Sequence, residues 1–435
     1  MRLVSTAGAA PAADLRTALF EGLAPDGGLY LPARLDPLDD AVLDGLWGAQ
    51  LEETALTVAR QLWGGETEGA HLAEVIAEAL NFPIPLVQLD ERTFVLELFH
   101  GPTLAFKDVG ARFMARLMAG YRRDEAGTLT VLVATSGDTG GAVAHAFLGL
   151  PRVRTVVLYP EGQVSPLQER QFTTLGENVE ALAVSGTFDD CQRLAREALA
   201  ERSVRDRLHL TSANSINIGR LLPQIFYYFH AWTQLPRTTE EVVLCTPSGN
   251  FGNLTAGLMA KRLGLPAAGF VAATNVNDVV PEYLATGTFR PRPSRRTVSS
   301  AMDVGNPSNF ARMLALYDHD AEAMRRDVAG SVHTDEATRG AIAEVFQRCG
   351  RVLDPHSAVG YLASRTVLRE RPNARAVFLS TAHPAKFAEV VEPVIGRPVP
   401  MPDSLAALHD REHRVRRIRA SLTELEQVLL AGDAS

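Results

Sequence analysis

Apolar residues recur along this chain in two different patterns. Over roughly the first 90 residues they follow helical spacing, most clearly at 15–23, 41–47, 55–62 and 72–80. Pro83 and Pro85 then interrupt the pattern. We therefore expect an N-terminal, mainly helical domain over residues 1–92.

Beyond this boundary, short β-rich runs alternate with longer helical ones. A short strand is predicted at residues 94–99, and further strands at 130–134, 155–159, 179–184, 241–245, 269–273 and 375–379. Helical stretches are predicted between them, at 141–148, 165–175, 189–199, 218–232 and 254–263. Such alternation is typical of α/β folds, in which helices cover parallel sheets. We expect an α/β region over residues 93–400, with a smaller lobe at roughly 125–225, and a C-terminal helical tail over 401–435.

Composition narrows the class of protein. Of 435 residues, 46% are hydrophobic and 22% are charged, and the formal net charge is -8. No long basic run points to nucleic acid, and no apolar run has the length of a membrane span. The three cysteines lie far apart and lack the spacing of a zinc site, so we expect no metal. Their odd number and wide separation argue against disulfides, which fits a reducing compartment, so we expect a cytoplasmic protein.

Lysine is rare in this chain. Only Lys107, Lys261 and Lys386 stand among 43 basic residues, the others being arginine. Arginine cannot replace lysine in a Schiff base, because its guanidinium stays protonated. Lys107 is predicted in the first turn of a helix, where a positive charge is unfavourable, which suggests a functional amine. Lys261 fits a surface position near a helix end, and Lys386 is either an anion-binding residue or, slightly favoured, a surface residue.

Small polar residues follow three of the predicted strands, where ligands of parallel sheets bind. After residues 130–134 come Thr135 to Gly141, which predict either an anion site at a helix start or a simple helix cap. After residues 375–379 come Ser380 and Thr381, either of which could face a ligand or cap a helix.

The third junction, Ser248 to Asn253, is predicted to cradle a phosphate. Gly249 and Gly252 allow close approach of the backbone, and the asparagines tolerate unusual dihedral angles. The segment is neither a Walker loop nor a GxGxxG fingerprint, which disfavours nucleotide binding.

Together these segments resemble the threonine synthase family, in its longer bacterial and fungal type. The resemblance rests on six segments in the expected order, from the first 30 residues to about residue 390. They are Gly22 to Tyr30, His100 to Asp108, Thr135 to Gly140, Ser212 to Asn217, Ser248 to Asn253 and Ser380 to Phe387. It implies the tryptophan-synthase-like fold type II of pyridoxal 5'-phosphate (PLP) enzymes, with PLP between two α/β lobes. It also implies a monomeric enzyme that converts O-phospho-L-homoserine and water to L-threonine and phosphate.

The resemblance implies roles for individual residues. Lys107 would carry PLP as a Schiff base and then move protons, and Thr381 would bind the pyridine nitrogen. The residues expected to hold the PLP phosphate are Gly249, Asn250, Phe251, Gly252 and Asn253. The residues expected to contact substrate are Thr135, Ser136, Gly137, Asp138 and Thr139, chiefly at its carboxylate, and Asn214, Asn217 and Arg220 on its phosphate side. For Arg220 a helix-surface position is an equally good interpretation.

Three other functions stay open at this point. A PLP-dependent phospholyase on the same scaffold would give 2-oxobutyrate, ammonia and phosphate, and no residue excludes it. A nucleotide-binding oxidoreductase is disfavoured by the missing GxGxxG motif, and a non-catalytic metabolite-binding protein by the isolated Lys107 and the two anion-binding loops.

Overall fold

We describe the fold from a computed structural model, which covers residues 1–63, 69–123, 125–237 and 240–431. The chain forms two compact units. The first unit consists of Met1 and the described parts of residues 31–106 and 221–400. The second unit consists of residues 2–30, the described parts of 107–220, and the tail from Met401.

The strands are short and mostly buried. They are β1 (Leu3–Ser5), β2 (Tyr30–Pro32), β3 (Leu86–Gln88), β4 (Thr93–Glu97), β5 (Leu129–Ala134), β6 (Val153–Pro160), β7 (Val179–Ser185), β8 (Leu210–Ser212), β9 (Val242–Pro247), β10 (Gly269–Thr274), β11 (Val328–Val332), β12 (Arg375–Ser380) and β13 (Val415–Arg419).

Helices lie in every connection between consecutive strands except that from β3 to β4, and one more follows β13. They are α1 (Leu15–Glu21), α2 (Asp40–Gly45), α3 (Leu51–Trp63), α4 (Gly69–Ala79), α5 (Lys107–Tyr121), α6 (Asp138–Phe147), α7 (Pro166–Thr173), α8 (Phe188–Ala200), α9 (Arg202–Leu208), α10 (Ile218–Leu221), α11 (Gln224–Thr233), α12 (Gly252–Arg262), α13 (Val279–Thr286), α14 (Phe310–Leu316), α15 (Ala321–Asp327), α16 (Asp335–Cys349), α17 (Pro355–Glu370), α18 (Ala388–Ile395), α19 (Asp403–Ala406) and α20 (Leu422–Ala431). Short 3-10 helices cover Ser300–Met302 and Pro384–Phe387.

The first unit is built on a six-stranded sheet in the order β11-β10-β9-β12-β4-β3. Neighbouring strands are parallel except for β3, which is antiparallel to β4. Every residue of β9 and β10 is buried, which explains why these strands read as continuous apolar runs without alternation. Because the strands are parallel, the segments that follow β9 and β12 emerge at the same edge of this sheet.

The second unit is built on a five-stranded parallel sheet in the order β13-β7-β6-β5-β8. The predicted helical tail is wrong in one respect, because residues 415–419 form the edge strand β13. Only Ile418 of β13 is buried, so its arginines hid the strand pattern in the sequence. Leu425 and Leu429 of α20 join Ile418 in the apolar core of this unit.

The predicted strands at 94–99, 130–134, 155–159, 179–184, 241–245, 269–273 and 375–379 are confirmed as β4, β5, β6, β7, β9, β10 and β12. The helix predicted at 218–232 is interrupted, because Pro223 has no backbone N–H to continue it. Residues 1–92 do not form a unit of their own, since residues 2–30 belong to the second unit and residues 31–63 and 69–92 to the first. No helix in the described parts of the chain has both the length and the apolar character needed to cross a bilayer.

Candidate active site

Lys107 is the first residue of α5, and its side chain is 18% exposed. Its Nζ lies 3.7 Å from Oδ2 of Asp138, a carboxylate that is 4% exposed at the start of α6. Gln168 donates from Nε2 to Oδ1 of the same carboxylate at 2.8 Å. The negative charge of Asp138 thus offsets the unfavourable position of a lysine at a helix N-terminus.

Gln168 was not predicted from the sequence. It lies in the first turn of α7 after the N-cap Ser165, and nothing in that capping pattern marks a functional side chain. Its contact with Gly137 is close, because a Cβ built at Gly137 would lie 2.6 Å from Gln168 Oε1. Gly137 also has a φ of 146°, which only glycine adopts readily. The turn before α6 therefore requires this glycine.

The predicted substrate loop, residues 135–139, divides into buried and accessible residues. The Thr135 hydroxyl accepts from the backbone N–H of Gly137 at 2.9 Å and of Gly140 at 2.8 Å, and it is fully buried. Ser136 is exposed and Thr139 is half-buried. Thr135 therefore shapes the turn, while Ser136 and Thr139 offer hydroxyls that a ligand can reach.

Asn214 and Asn217 both bind the backbone of the second unit. Asn214 accepts from the N–H of Ala134 at 3.1 Å and donates to its carbonyl at 2.7 Å, which extends β5 by one pairing. Asn217 is fully buried and donates to the carbonyls of Leu19 at 2.8 Å and Ser212 at 2.9 Å. The side-chain contacts of both residues therefore hold the segment between them in place.

Arg220 is buried rather than exposed on a helix surface. It is 3% exposed, and Nη1 donates to the carbonyl of Ala213 at 2.5 Å. Burial lowers the pKa of its guanidinium to about 10, and the charge of Asp108 partly opposes this effect. The interpretation of Arg220 as a helix-surface arginine is therefore wrong.

The loop between β9 and α12 is held from within by Asn253. Its Oδ1 accepts from Ser248 Oγ at 2.7 Å, and its Nδ2 donates to the carbonyl of Pro247 at 2.8 Å. Phe251, the residue before α12, has a φ of 58° in the left-handed region. The turn therefore presents the backbone at the N-terminus of a helix, the arrangement that binds phosphate groups.

Two further contacts hold this loop from outside. A Cβ built at Gly249 would lie 2.7 Å from Cα of Met302 and 2.8 Å from the carbonyl oxygen of Ala301, so the backbones approach too closely for any other residue. Asn250 Oδ1 accepts from the backbone N–H of Ser308 at 2.7 Å. The side-chain oxygens of both asparagines thus bind protein groups, and the backbone N–H groups at the start of α12 offer donors for a phosphate.

Thr381 follows β12 and is 6% exposed. Its carbonyl accepts from the N–H of Phe106 at 2.9 Å, and His383 donates from its own N–H to the carbonyl of Leu104 at 3.0 Å. These bonds attach the segment that leads into Lys107 to the end of β12. The segment from Leu104 to Phe106 is therefore fixed to the end of β12 within the first unit.

Lys386 is buried, so the slightly favoured surface interpretation is wrong. It is 1% exposed, and Nζ donates to the carbonyl of Thr103 at 2.8 Å. Lys261, by contrast, forms a partly exposed ion pair with Asp327 at 2.7 Å, in agreement with its predicted surface position. The rarity of lysine thus drew attention to Lys107, but it did not predict that Lys386 is buried.

Family models cover nearly the whole chain. The model described as "Threonine synthase N terminus" matches residues 2–80, "Pyridoxal-phosphate dependent enzyme" matches 78–382, and "Threonine synthase, C-terminal" matches 357–429. A protein of Serratia marcescens named threonine synthase is 42% identical over 95% of both chains. The chain belongs to the threonine synthase family.

Solved structures of threonine synthases have the same fold. The enzyme from Escherichia coli superimposes with a TM-score of 0.93 at 40% identity, over 99% of this chain and 100% of the other. The PLP-bound threonine synthase from Brucella melitensis superimposes with a TM-score of 0.92 at 37% identity, over all of both chains. The predicted type II fold, the threonine synthase assignment and the PLP cofactor are confirmed.

The described residues fit PLP. The loop before α12 offers a helix N-terminus and a glycine, Gly249, where a side chain would collide with backbone. Lys107 offers a partly exposed amine, and Thr381 offers a hydroxyl after a buried strand. This threonine synthase family member is therefore a PLP-dependent lyase that acts on a small molecule.

Proposed function

We propose that the chain converts O-phospho-L-homoserine and water to L-threonine and inorganic phosphate. The observation that carries the proposal is the amine of Lys107, held 3.7 Å from the buried carboxylate of Asp138. An amine used for covalent attachment and proton transfer needs partial access and a partner that can stabilise its charged form.

Three parts of the chain would hold PLP, which supplies an electron sink for the substrate's carbon atoms when it is bound. The backbone of residues 249–253 would bind the phosphate, and the Thr381 hydroxyl would bind the pyridine nitrogen. Lys107 would attach covalently. Because the side chains of Asn250 and Asn253 bind protein groups, we assign their phosphate contacts to the backbone N–H groups.

Residues of the second unit would orient the substrate and move its protons. The freed Lys107 amine would take and return protons at the substrate's α-carbon, and Asp138 would stabilise the amine in its charged form. Ser136 and Thr139, the accessible hydroxyls of their turn, would donate to the substrate carboxylate. Asp138 suits the lysine better than a substrate carboxylate, since two negative charges repel.

The residues predicted on the phosphate side of the substrate would act mainly by holding the backbone in place. Asn214 and Asn217 hold backbone carbonyls of the second unit, and the Arg220 guanidinium is buried against Ala213. We propose that they fix the segment on which the substrate phosphate rests. The positive charge of Arg220 would also favour an anion nearby.

We further propose a monomer in the cytoplasm. Cys191, Cys245 and Cys349 are free thiols, as expected in a reducing compartment. Light scattering of the protein as it elutes from a size-exclusion column would give its molar mass and so test whether it is a monomer.

The experiment is to incubate the purified protein with O-phospho-L-homoserine and to quantify phosphate and the organic product together. Equal amounts of phosphate and threonine are the expected result. Phosphate with 2-oxobutyrate and ammonia would instead identify a phospholyase, and no phosphate release would overturn the proposed substrate. Lys107→Ala serves as the control for turnover by a contaminating enzyme.

A further inference from the structure

A carboxylate with four hydrogen bonds outside the residues discussed so far belongs to Asp354, which is fully buried before α17. It accepts from the backbone N–H groups of His356 at 2.9 Å and Ser357 at 3.3 Å, as a helix cap does. It also accepts from Nδ1 of His356 at 2.7 Å and from the hydroxyl of Ser357. The two side-chain bonds exceed what a cap requires and extend in different directions.

The first direction leads through His356 to the predicted phosphate loop. Nε2 of His356 accepts from the backbone N–H of Ala301 at 3.1 Å. Because a backbone N–H can only donate, the ring proton must be on Nδ1, from where it donates to Asp354. Ala301 and Met302 are the residues that lie against Gly249, so the ring is bonded to the support of the loop.

The second direction leads through Ser357 to Thr381. The Ser357 hydroxyl donates to Asp354, so the bond of 2.8 Å between Ser357 Oγ and Ser380 Oγ must have Ser380 as its donor. Ser380 is the last residue of β12 and directly precedes Thr381. One buried carboxylate is thus linked to the supports of both predicted PLP-binding segments of the first unit.

We propose that Asp354, acting through His356 and Ser357, is a positioning residue for the PLP site. It holds the backbone that supports Gly249 and the strand end that precedes Thr381 in their binding geometry before the cofactor arrives. Groups that are fixed in advance bind more tightly, because binding does not have to order them. The inference rests on the proposed function in one point, the assignment of residues 249–253 and Thr381 to PLP.

The test compares His356→Asn with His356→Gln in the apoprotein. Asparagine can reach Asp354 but not Ala301, whereas glutamine is long enough to place an acceptor near the position of Nε2. We measure the dissociation constant of PLP by quenching of tryptophan fluorescence, and the urea midpoint of each apoprotein separately. His356→Asn should weaken PLP binding about five- to tenfold, the effect of one lost hydrogen bond, and His356→Gln should recover part of the loss.

A matched control separates positioning from stability. His230 is also a buried histidine, but it bonds within its own helix to Thr233, so His230→Asn should lower the urea midpoint and leave the PLP dissociation constant within about twofold. If His356→Asn lowers the midpoint like His230→Asn but leaves PLP affinity unchanged, His356 is only structural and the proposal is wrong.

The hydrogen bonds of Ser357 provide a second test of the proposal, which also applies if the histidine variants fail to fold. Ser357→Ala should alter PLP affinity and the phosphorus-31 shift of bound PLP. Ser364, on the same helix and equally buried, donates to the carbonyl of Gly360 and also bonds to the thiol of Cys245 inside β9. Neither partner supports Gly249 or directly precedes Thr381, so Ser364→Ala should alter neither quantity. Equal behaviour of the two alanine variants would overturn the proposal. If the unsubstituted protein bound no PLP at all, the proposed function would fail instead.

Discussion

The backbone N–H of Phe106 donates to the carbonyl of Thr381 at 2.9 Å. Phe106 immediately precedes Lys107, and Thr381 is the residue assigned to the pyridine nitrogen. Within the first unit, this hydrogen bond therefore ties the residue before the lysine to the strand end that would hold the pyridine nitrogen. A main-chain bond of this kind is independent of side-chain identity, so the two segments can keep their spacing while neighbouring side chains vary.

Replacing Lys107 by alanine should abolish covalent attachment of PLP. Turnover should fall by about 10²–10⁴-fold or more, because the same amine is assigned to proton transfer. Borohydride reduction followed by peptide mapping checks this directly, since the chain offers only three lysines as sites. Lys261→Ala, which removes a partly exposed ion pair, should leave labelling and turnover intact. Labelling of Lys386 in the unsubstituted protein would contradict the assignment.

Gly249→Ala should weaken PLP binding strongly. Its Cβ would lie 2.7 Å from Cα of Met302, so backbone would have to move, at a cost of about 1–3 kcal/mol. Gly340→Ala is the matched control, because that glycine lies inside α16 with no atom within 4 Å of the added carbon. The control should leave PLP affinity unchanged and stabilise the fold by about 0.5–1 kcal/mol. Titration of both apoproteins with PLP distinguishes them, and equal affinities would argue against a close-packed phosphate loop.

Lys386→Met should reduce the free energy of unfolding by about 1–3 kcal/mol, because the carbonyl of Thr103 loses a buried charged donor. Lys261→Met should cost about 1 kcal/mol or less, as partly exposed ion pairs contribute little. Urea unfolding of the two variants under the same conditions provides the comparison. A more stable Lys386→Met protein would mean that relief from burying the charge outweighs the lost hydrogen bond.

Acid should destabilise the fold through His230, which is buried, and His333, which is half-buried. Burial lowers the pKa of His230 to about 4, and burial together with the charge of Arg369 lowers the pKa of His333 to about 4. In the unfolded chain a histidine titrates near 6.5, so between about pH 6.5 and 4 the unfolded state binds more protons than the folded state. The free energy of unfolding should therefore fall as pH drops through this window.

His230→Gln and His333→Gln should each flatten that pH dependence. Urea midpoints at a series of pH values, measured for both variants and the unsubstituted protein, isolate the histidine contribution from that of the carboxylates. Parallel curves of urea midpoint against pH for all three proteins would show that these histidines do not cause the loss of stability in acid.

The sequence predicts well those features that are encoded locally. Continuous apolar runs located the buried strands, and glycines and hydroxyls at their ends located the turns of the site. Contacts between distant segments leave no such trace. Asn217 looks like a ligand residue in its motif, yet its side chain binds the carbonyl of Leu19, 198 residues earlier.

Burial of single polar residues was equally hard to predict. Lys386 lies in a short 3-10 helix, and the local sequence does not reveal that its amine donates to the carbonyl of Thr103. Asp354, followed by Pro355, is recognisable in the sequence as a helix start, but not as the acceptor of two additional side chains. The strand β13 was missed because an edge strand with one buried side chain, Ile418, resembles a charged helix.

The position of β13 in its sheet constrains how this protein can fold as it is synthesised. Strands β5 to β8 lie between residues 129 and 212, but β13 and α20, which complete their sheet and core, follow only after residue 400. A ribosome adds all of the intervening residues first, so the emerging chain must keep an apolar surface and an open sheet edge exposed for nearly half of its translation. Because of this exposure, we expect a chaperone that binds nascent chains to bind strands β5 to β8 during synthesis.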